Sequence, residues 1–272
     1  MKLAIGIATR GRPEHARWSA ELAARYALGD TRIYVLADAD DESMTEFRPP
    51  DGVTLDVRER EDSVGAKWNR LLALEQADVY MAMCDYRAQC SLGYDLRVME
   101  AASIFPDGIG CVVQHLANLS FPCYQAVTSR MAEVMGHIYV EHFPYWFVDH
   151  WLDDICKMSG RFVHARGDTV MKERPTATQE FREPRLWACV FDSLYTEREE
   201  ICERLFAAMD EPEWRKEQLR MNFPIHHARS RMVNDLARGI AFNLPWDERY
   251  KRIRENGVAK LLSQYEQLKE AA

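Results

Sequence analysis

With 272 residues, 47% of them hydrophobic, the chain is long enough for one large α/β domain or a domain with an extension. Its net charge of −8 provides no general basic surface, which disfavours non-specific nucleic-acid binding. The seven cysteines show neither a C-x-x-C pair nor zinc-ligand spacing, a pattern typical of reduced thiols in a cytoplasmic protein. We expect no membrane span and no signal peptide, because every apolar run is short.

Apolar runs alternate with helical patterns in the first third of the chain. Strands are predicted at residues 2–8, 32–37, 53–57 and 79–83, and the first of these is consistent with a buried strand. Helices are predicted at residues 16–28 and 66–76, with Pro13 suited to a first helical turn. This alternation predicts an α/β fold, in which a ligand lies beyond the carboxyl ends of the strands.

The pattern is less regular farther along the chain. Helices are predicted at 95–104 and 129–135, and extended segments at 109–113, 121–127, 161–165 and 168–171. From about Leu186 the sequence becomes charged and helical. Thr196-Glu-Arg-Glu199 predicts a capping box, and further helices are predicted after Pro212, at 229–241 and at 247–268. We therefore expect a sheet domain over residues 1–185 and a helical extension over 186–272, which packs on the sheet domain or on a partner chain.

Polar side chains follow three of the predicted strands. Thr9, Arg10 and Arg12 follow the first strand, Asp38 follows the second, and Asp85 follows the fourth. Arginines can pair with phosphate, an acid can accept from a ribose or base, and another acid can hold a divalent cation. Each group taken alone also fits an ordinary solvated loop or turn. Their arrangement on one sheet edge favours a nucleoside diphosphate site.

Within residues 141–154, an aromatic run ends in the acid Asp149, at the start of a predicted helix. A carboxylate there can cap backbone N–H groups, and the helix dipole favours its ionised form. The two interpretations are an N-cap behind a buried aromatic cluster and a general base at the wall of an aromatic pocket. The adjacent pair His226-His227 is not expected to bind a metal, because neighbouring side chains on a helix point apart.

Residues 2–172 resemble GT-A glycosyltransferases of the family-2 type. The resemblance rests on four segments: Ile7 to Pro13, Gly65-Ala-Lys-Trp-Asn69, Val79 to Tyr86, and Trp146 to Leu152. It implies a GT-A, Rossmann-like mixed sheet flanked by helices, with residues 1–185 as the nucleotide-sugar-binding and catalytic domain.

The resemblance also implies a role for each matched residue. Donor-binding roles fall on Thr9, Arg10, Arg12, Asp38, Lys67 and Asn69, with Asp40 as a substitute for Asp38. The metal role falls on Asp85, the general-base role on Asp149, and an acceptor-side platform on Tyr145, Trp146 and Trp151. His164 is interpreted as a structural histidine rather than a late metal ligand.

Two positions depart from the family pattern. The metal motif reads Cys84-Asp85-Tyr86, so a single carboxylate would hold Mn²⁺ or Mg²⁺ with lower affinity. Val148 stands where the family often has Glu, which removes an acid beside the base and leaves the base in place.

The activity implied is inverting transfer from a nucleotide diphosphate sugar, with UDP favoured, to an acceptor hydroxyl. Acceptor candidates include a glycan and a modified nucleic-acid base, and oligomerisation through the C-terminal helices is an open option. Two alternatives remain. One is a GT-A-like binding module that has lost catalysis. The other is a nucleotidyltransferase-like enzyme, which would need a Gly-rich loop with Lys after the first strand, where only Gly11 is available.

Overall fold

The computed structural model of the chain describes residues 1–85, 88–116, 124–171 and 184–239. Within these residues one mixed sheet is formed by β1 (Lys2–Ala8), β2 (Asp30–Asp38), β3 (Val53–Arg58), β4 (Val79–Cys84), β5 (Ala88–Gln89), β6 (Cys111–Leu116), β7 (Gln125–Thr128) and β8 (Phe162–Met171). The order of strands across the sheet is β3-β2-β1-β4-β7-β6-β8-β5.

The strand β1 lies between two parallel neighbours, β2 and β4, and β3 runs parallel to β2 at the edge of the sheet. In register, Ala8 at the end of β1 pairs with Leu36 of β2 and with Cys84 of β4. The carboxyl ends of the three strands therefore meet at one edge. Beyond them, β7 pairs antiparallel with β4 and with β6, which makes the sheet mixed.

The helices are α1 (Pro13–Tyr26), α2 (Val64–Asn69), α3 (Leu71–Leu74), α4 (Tyr94–Ala102), α5 (Ser129–Met135), α6 (Val148–Met158), α7 (Pro184–Ser193), α8 (Tyr195–Ala208), α9 (Glu213–Arg220) and α10 (Phe223–Gly239). A short 3-10 turn, Glu42–Met44, follows β2. None of these helices is long and apolar enough to cross a membrane.

The sheet separates two hydrophobic cores, because successive side chains of a strand point to opposite faces. Leu3, Ile5 and Ile7 of β1 face the core that α1 and α4 cover, whereas Ala4 and Ala8 face the other core. That second core takes residues from α2, α3, α5, α6, α7 and α8. The C-terminal helices α7 and α8 thus pack directly on the sheet domain.

Three features of the C-terminal half differ from the sequence prediction. The helix α7 begins at Pro184, so the expected boundary at residue 185 falls within its first turn. The capping-box prediction at Thr196 is wrong, because α8 begins at Tyr195 and only Leu194 separates it from α7. The two segments predicted at 161–165 and 168–171 form the single strand β8, with a register shift opposite Gln114 and His115. The predicted helix 247–268 lies outside the described residues.

Candidate active site

A cleft that is open to solvent lies at the carboxyl ends of β1, β2 and β4. Seven of the predicted site residues line it: Thr9, Arg10, Arg12, Asp38, Lys67, Asp85 and Tyr145. The loop before α2 supplies further lining residues that were not assigned from the sequence, namely Arg60, Glu61, Asp62 and Ser63. The topology therefore brings the polar residues after three strands into one cavity, together with the start of α2.

Asp85 lies at the bottom of this cleft with both carboxylate oxygens in contact with a partner. The Thr9 hydroxyl donates to Oδ2 at 2.8 Å, and Nη2 of Arg12 lies 3.0 Å from Oδ1. The residue is only 1% exposed. Burial raises the pKa of Asp85, and the Arg12 charge and the Thr9 hydrogen bond oppose that rise. Asp85 is thus an acceptor that holds Thr9 and Arg12 in place.

One guanidinium nitrogen of Arg12 contacts a carboxylate, whereas the other two side-chain nitrogens have no hydrogen-bond partner among the described residues. It immediately precedes Pro13, the first residue of α1, and 15% of its side chain is exposed. While Nη2 contacts Asp85, the buried Nε and Nη1 have no hydrogen-bond partner among the described residues. Unsatisfied buried donors are costly, and an anion in the cleft would satisfy them.

Asp38, at the end of β2, is surrounded by cations. Its carboxylate lies 2.7 Å from Nζ of Lys67, 3.0 Å from Nη1 of Arg10 and 3.5 Å from Nη2 of Arg70. Lys67 also donates to the carbonyl oxygen of Thr9 at 3.2 Å. Burial lowers the pKa of Lys67, and the Asp38 carboxylate opposes this effect. Asp38 therefore organises positive charge in the cleft, and a base or ribose would have to replace one of these contacts.

Arg10 is held by two carboxylates. It forms a bidentate pair with Asp40 at 2.6 and 3.0 Å, in addition to its contact with Asp38. The hydrogen bonds from Arg10 hold the pKa of Asp40 below its ordinary value. The next residue, Gly11, has a φ of +69° and donates its N–H to Asp41 at 2.7 Å. These contacts fix the loop that carries Thr9 and Arg12.

Arg70, which was not assigned from the sequence, anchors the loop before α2. Its guanidinium forms a bidentate pair with Glu61, contacts Asp56 at 3.2 Å and donates to the carbonyl of Ala37 at 2.8 Å. The loop ends at Ser63, whose hydroxyl accepts from the N–H of Ala66 and caps α2. The only local signal of this anchor is an acid nine residues before an arginine, which is too general to predict the pairing.

Asn69 lies outside the cleft lining, and its four hydrogen bonds among the described residues are to backbone and side-chain groups of the protein. Its Oδ1 accepts from the N–H groups of Ile138 and Tyr139, both at 2.9 Å. Its Nδ2 donates to the Tyr139 carbonyl and to Glu141. Nearby, a Cβ added to Gly65 would lie 2.1 Å from a backbone oxygen of the same 138–141 segment. Both ends of the Gly65-to-Asn69 segment thus dock this backbone against α2.

Asp149 is the second residue of α6, at the positive end of the helix dipole. The residue in the N-cap position is Phe147, with a φ of +72° and no side-chain cap. Oδ1 of Asp149 accepts from the N–H of His150 at 2.9 Å and lies 3.0 Å from its Nδ1. Burial lowers the pKa of His150, but the Asp149 carboxylate outweighs this effect and the net shift is upward. The Asp149 side chain is 29% exposed and does not line the cleft.

A chain of contacts links the cleft to the start of α6. Trp68, in the cleft wall, packs against Tyr139 with 4.9 Å between ring centroids. The Tyr139 hydroxyl donates to the backbone oxygen of Gln125 at 3.2 Å, and Nε2 of Gln125 donates to the backbone oxygen of Asp149 at 3.1 Å. The position of Asp149 relative to the cleft is therefore fixed by buried groups.

The three aromatic residues expected on the acceptor side occupy different environments. Tyr145 lines the cleft, and burial raises the pKa of its hydroxyl. Trp146 is partly buried and packs against Phe147 at 6.2 Å. Trp151 is 1% exposed and lies in the core, with the Arg198 guanidinium 4.9 Å above its ring. Tyr145 is thus placed to meet a ligand in the cleft, whereas Trp151 is a core residue.

A divalent cation at Asp85 does not fit the described residues well. They contain no group of three or more His, Cys, Asp and Glu side chains arranged to hold a metal. A cation at Oδ1 of Asp85 would have to displace the Arg12 guanidinium. Elsewhere, His164 is exposed, His226 contacts Asp154 at 3.2 Å, and His227 stacks on Tyr195.

No protein-family profile matches the sequence, and no curated protein matches it significantly. Solved structures do match. S. aureus TarS 1–349 in complex with UDP-GlcNAc has a TM-score of 0.61 at 10% identity, covering 98% of this chain and 81% of that one. Mannosyltransferase PcManGT from Pyrobaculum calidifontis, in complex with GDP-Man and Mn²⁺, has a TM-score of 0.53 at 11% identity, covering 98% and 82%. These likenesses confirm the GT-A fold predicted from the sequence.

Proposed function

We propose that the chain is a glycosyltransferase that moves a sugar from a nucleoside diphosphate sugar to an acceptor hydroxyl. The observation that carries this proposal is Arg12, which lines a cleft at the carboxyl ends of the central strands and has two buried nitrogens without a hydrogen-bond partner among the described residues. Guanidinium groups bind phosphate through paired N–H donors. Two structures of the same fold hold UDP-GlcNAc and GDP-Man, which supports a nucleotide sugar as the ligand.

The reaction is written as a single displacement at the anomeric carbon. The bond from that carbon to the β-phosphate oxygen breaks, and its electron pair leaves with the diphosphate. The acceptor oxygen bonds to the opposite face of the same carbon, which inverts its configuration. Asp149 takes the acceptor proton, and Arg12 and Lys67 offset the charge that develops on the leaving group.

Some site residues contact the ligand, and others hold the contacting residues in position. Arg12 and Lys67 contact the diphosphate, and Tyr145 offers its ring to a base or sugar face. Asp38 and Asp85 act by positioning these cations. We assign no step to a metal ion, because both carboxylate oxygens of Asp85 already contact Thr9 and Arg12.

UDP is the proposed nucleotide, supported by TarS complexes with UDP-GlcNAc and with UDP. The GDP-Man complex of PcManGT makes GDP the competitor to test. A glycan hydroxyl and the hydroxyl of a modified nucleic-acid base are the two acceptor classes proposed.

The test is a thermal-stabilisation screen of UDP- and GDP-sugars, followed by assay of diphosphate release with candidate acceptors. We expect one nucleotide sugar to raise the Tm selectively, and that same donor to release its diphosphate. Arg12→Ala should abolish the stabilisation, whereas Arg25→Ala, exposed on the same helix α1, should leave it unchanged. Stabilisation without turnover for every acceptor would favour an inactive binding module. No stabilisation by any nucleotide sugar would contradict the donor site.

A further inference from the structure

We propose that Arg12, positioned by Asp85 and Thr9, takes the place of a divalent cation at the donor diphosphate, so that this site binds a nucleoside diphosphate without metal. The inference rests on the proposed function, and it assigns Asp85 a positioning role instead of a metal-ligand role.

Both carboxylate oxygens of Asp85 already contact protein groups. Its Oδ2 accepts from Thr9 at 2.8 Å and its Oδ1 contacts Arg12 at 3.0 Å, and the residue is almost completely buried. The residues beside it in the sequence are Cys84 and Tyr86, so no adjacent carboxylate shares the charge of a cation. Hard cations such as Mg²⁺ and Mn²⁺ require several oxygen ligands. A metal ion bound here would displace Arg12 from Asp85, and Asp85 would be its only carboxylate ligand among these neighbouring residues.

The geometry of the Arg12 guanidinium suits it to bind an anion. One nitrogen is held by Asp85, while Nε and Nη1 are buried in the cleft region without a hydrogen-bond partner. Each of these two nitrogens keeps at least one N–H group that a phosphate oxygen can accept, and hydrogen bonds between a guanidinium and a phosphate are charge-assisted. Asp85 thus fixes the orientation of the guanidinium and leaves two of its nitrogens with unpaired donors.

Two neighbouring cations differ from Arg12 in that carboxylates already bind their donors. Arg10 is bound by Asp38 and Asp40, and Lys67 is bound by Asp38. Their charge contributes to the field in the cleft, but their donors already have carboxylate partners. Of these three cations, Arg12 is therefore the one whose geometry most resembles a prepared phosphate ligand.

The leaving diphosphate gains negative charge during the transfer. When the bond from the anomeric carbon to the phosphate oxygen breaks, this charge moves onto the β-phosphate. A fixed guanidinium can stabilise that charge by the same electrostatic means as a metal, without needing a second carboxylate to hold it. Asp85 keeps the guanidinium in position as the charge develops.

The experiment is isothermal titration with UDP and with GDP, each in the presence of a chelator and again with Mn²⁺. We expect the preferred nucleotide to bind with dissociation constants that agree within about threefold in the two conditions. Arg12→Ala should weaken binding about 10- to 100-fold in both. Arg12→Lys keeps the charge but lacks the planar guanidinium, so its nucleotide affinity should lie between those of the wild type and Arg12→Ala. Arg25→Ala is the matched control and should bind like the wild type.

Asp85→Asn separates the two roles of the carboxylate. A positioning role predicts an equal loss of nucleotide affinity with chelator and with Mn²⁺, and no Mn²⁺ bound to the nucleotide-free wild type in electron paramagnetic resonance titrations. Binding that appears only with Mn²⁺ and disappears in Asp85→Asn would overturn the inference and leave the proposed function standing. Failure of UDP and GDP to bind in either condition would overturn both.

Discussion

Arg198 of α8 and Asp154 of α6 form a buried ion pair, with 2.8 Å between Nε and Oδ2. The Arg198 side chain is fully buried, and its other nitrogens donate to the backbone oxygen of Phe191 and to the hydroxyl of Ser230, both at 2.6 Å. One side chain thus joins α6, α7, α8 and α10. Because α6 begins next to Asp149, the C-terminal helices hold the helix that carries the proposed base.

Removing this ion pair should destabilise the whole protein. Arg198→Ala leaves the Asp154 carboxylate partly buried without its main partner, and we expect a loss of about 3–5 kcal/mol in the free energy of unfolding. Urea denaturation measures the change. Arg204→Ala, exposed on the same helix, is the control and should cost less than about 0.5 kcal/mol. Equal stability of the two variants would show that the pair does not link the helices.

Asn69 should behave as a structural residue. Asn69→Ala removes four hydrogen bonds and leaves backbone groups of Ile138 and Tyr139 unpaired, so we expect a loss of about 2–4 kcal/mol in unfolding free energy. At a temperature where the variant is folded, its UDP dissociation constant should stay within about threefold of the wild-type value. Asn222→Ala, at an exposed asparagine, is the control. Unchanged stability with strongly weakened nucleotide binding would instead assign Asn69 to the donor.

The Asp149–His150 pair predicts a pH dependence of stability. Because the folded-state pKa of His150 lies above its ordinary value of 6.5, the pair stabilises the fold fully below pH 6.5. The contribution is lost as the pH rises from 6.5 through the folded-state pKa. The difference in unfolding free energy between wild type and His150→Gln should therefore shrink over this range in a series of urea titrations. A difference that grows with pH would contradict the sign of the shift.

Asp149→Asn tests the base directly. We expect kcat to fall about 10²- to 10⁴-fold, because the amide cannot accept the acceptor proton. Nucleotide binding should persist, since Asp149 does not line the cleft. Asp153→Asn, on the same helix and paired with Lys157, is the control and should retain turnover. Wild-type turnover by Asp149→Asn would remove the residue from the mechanism.

The central strands and the location of the cleft follow from the sequence. Buried apolar runs predict β1, β2 and β4 within a few residues, because their side chains face a core on both sides. The edge strand β3 is also predicted, although only its first residue, Val53, is buried. Parallel pairing then brings the residues after β1, β2 and β4 to one edge. The sequence prediction has no separate helix at α7, although Trp187, Val190 and Phe191 have helical spacing and are buried.

The pairing of the site residues is not predictable from local pattern. Thr9 meets Asp85, 76 positions away, and Asn69 meets Tyr139, 70 positions away. No spacing rule in the sequence distinguishes an Asp85 that binds a metal from one that holds an arginine. The same limit applies to Trp151, because an aromatic side chain beside an acid suits a pocket wall and a core equally well.

The most direct test of the central claim is a crystal structure of the protein with the nucleotide sugar that stabilises it. We predict that the diphosphate lies in the cleft at the ends of β1, β2 and β4, with a phosphate oxygen about 3 Å from Nη1 or Nε of Arg12. We also predict that Asp85 still contacts Arg12 in that complex. A diphosphate bound elsewhere, or bound through a metal on Asp85 with Arg12 displaced, would contradict the account.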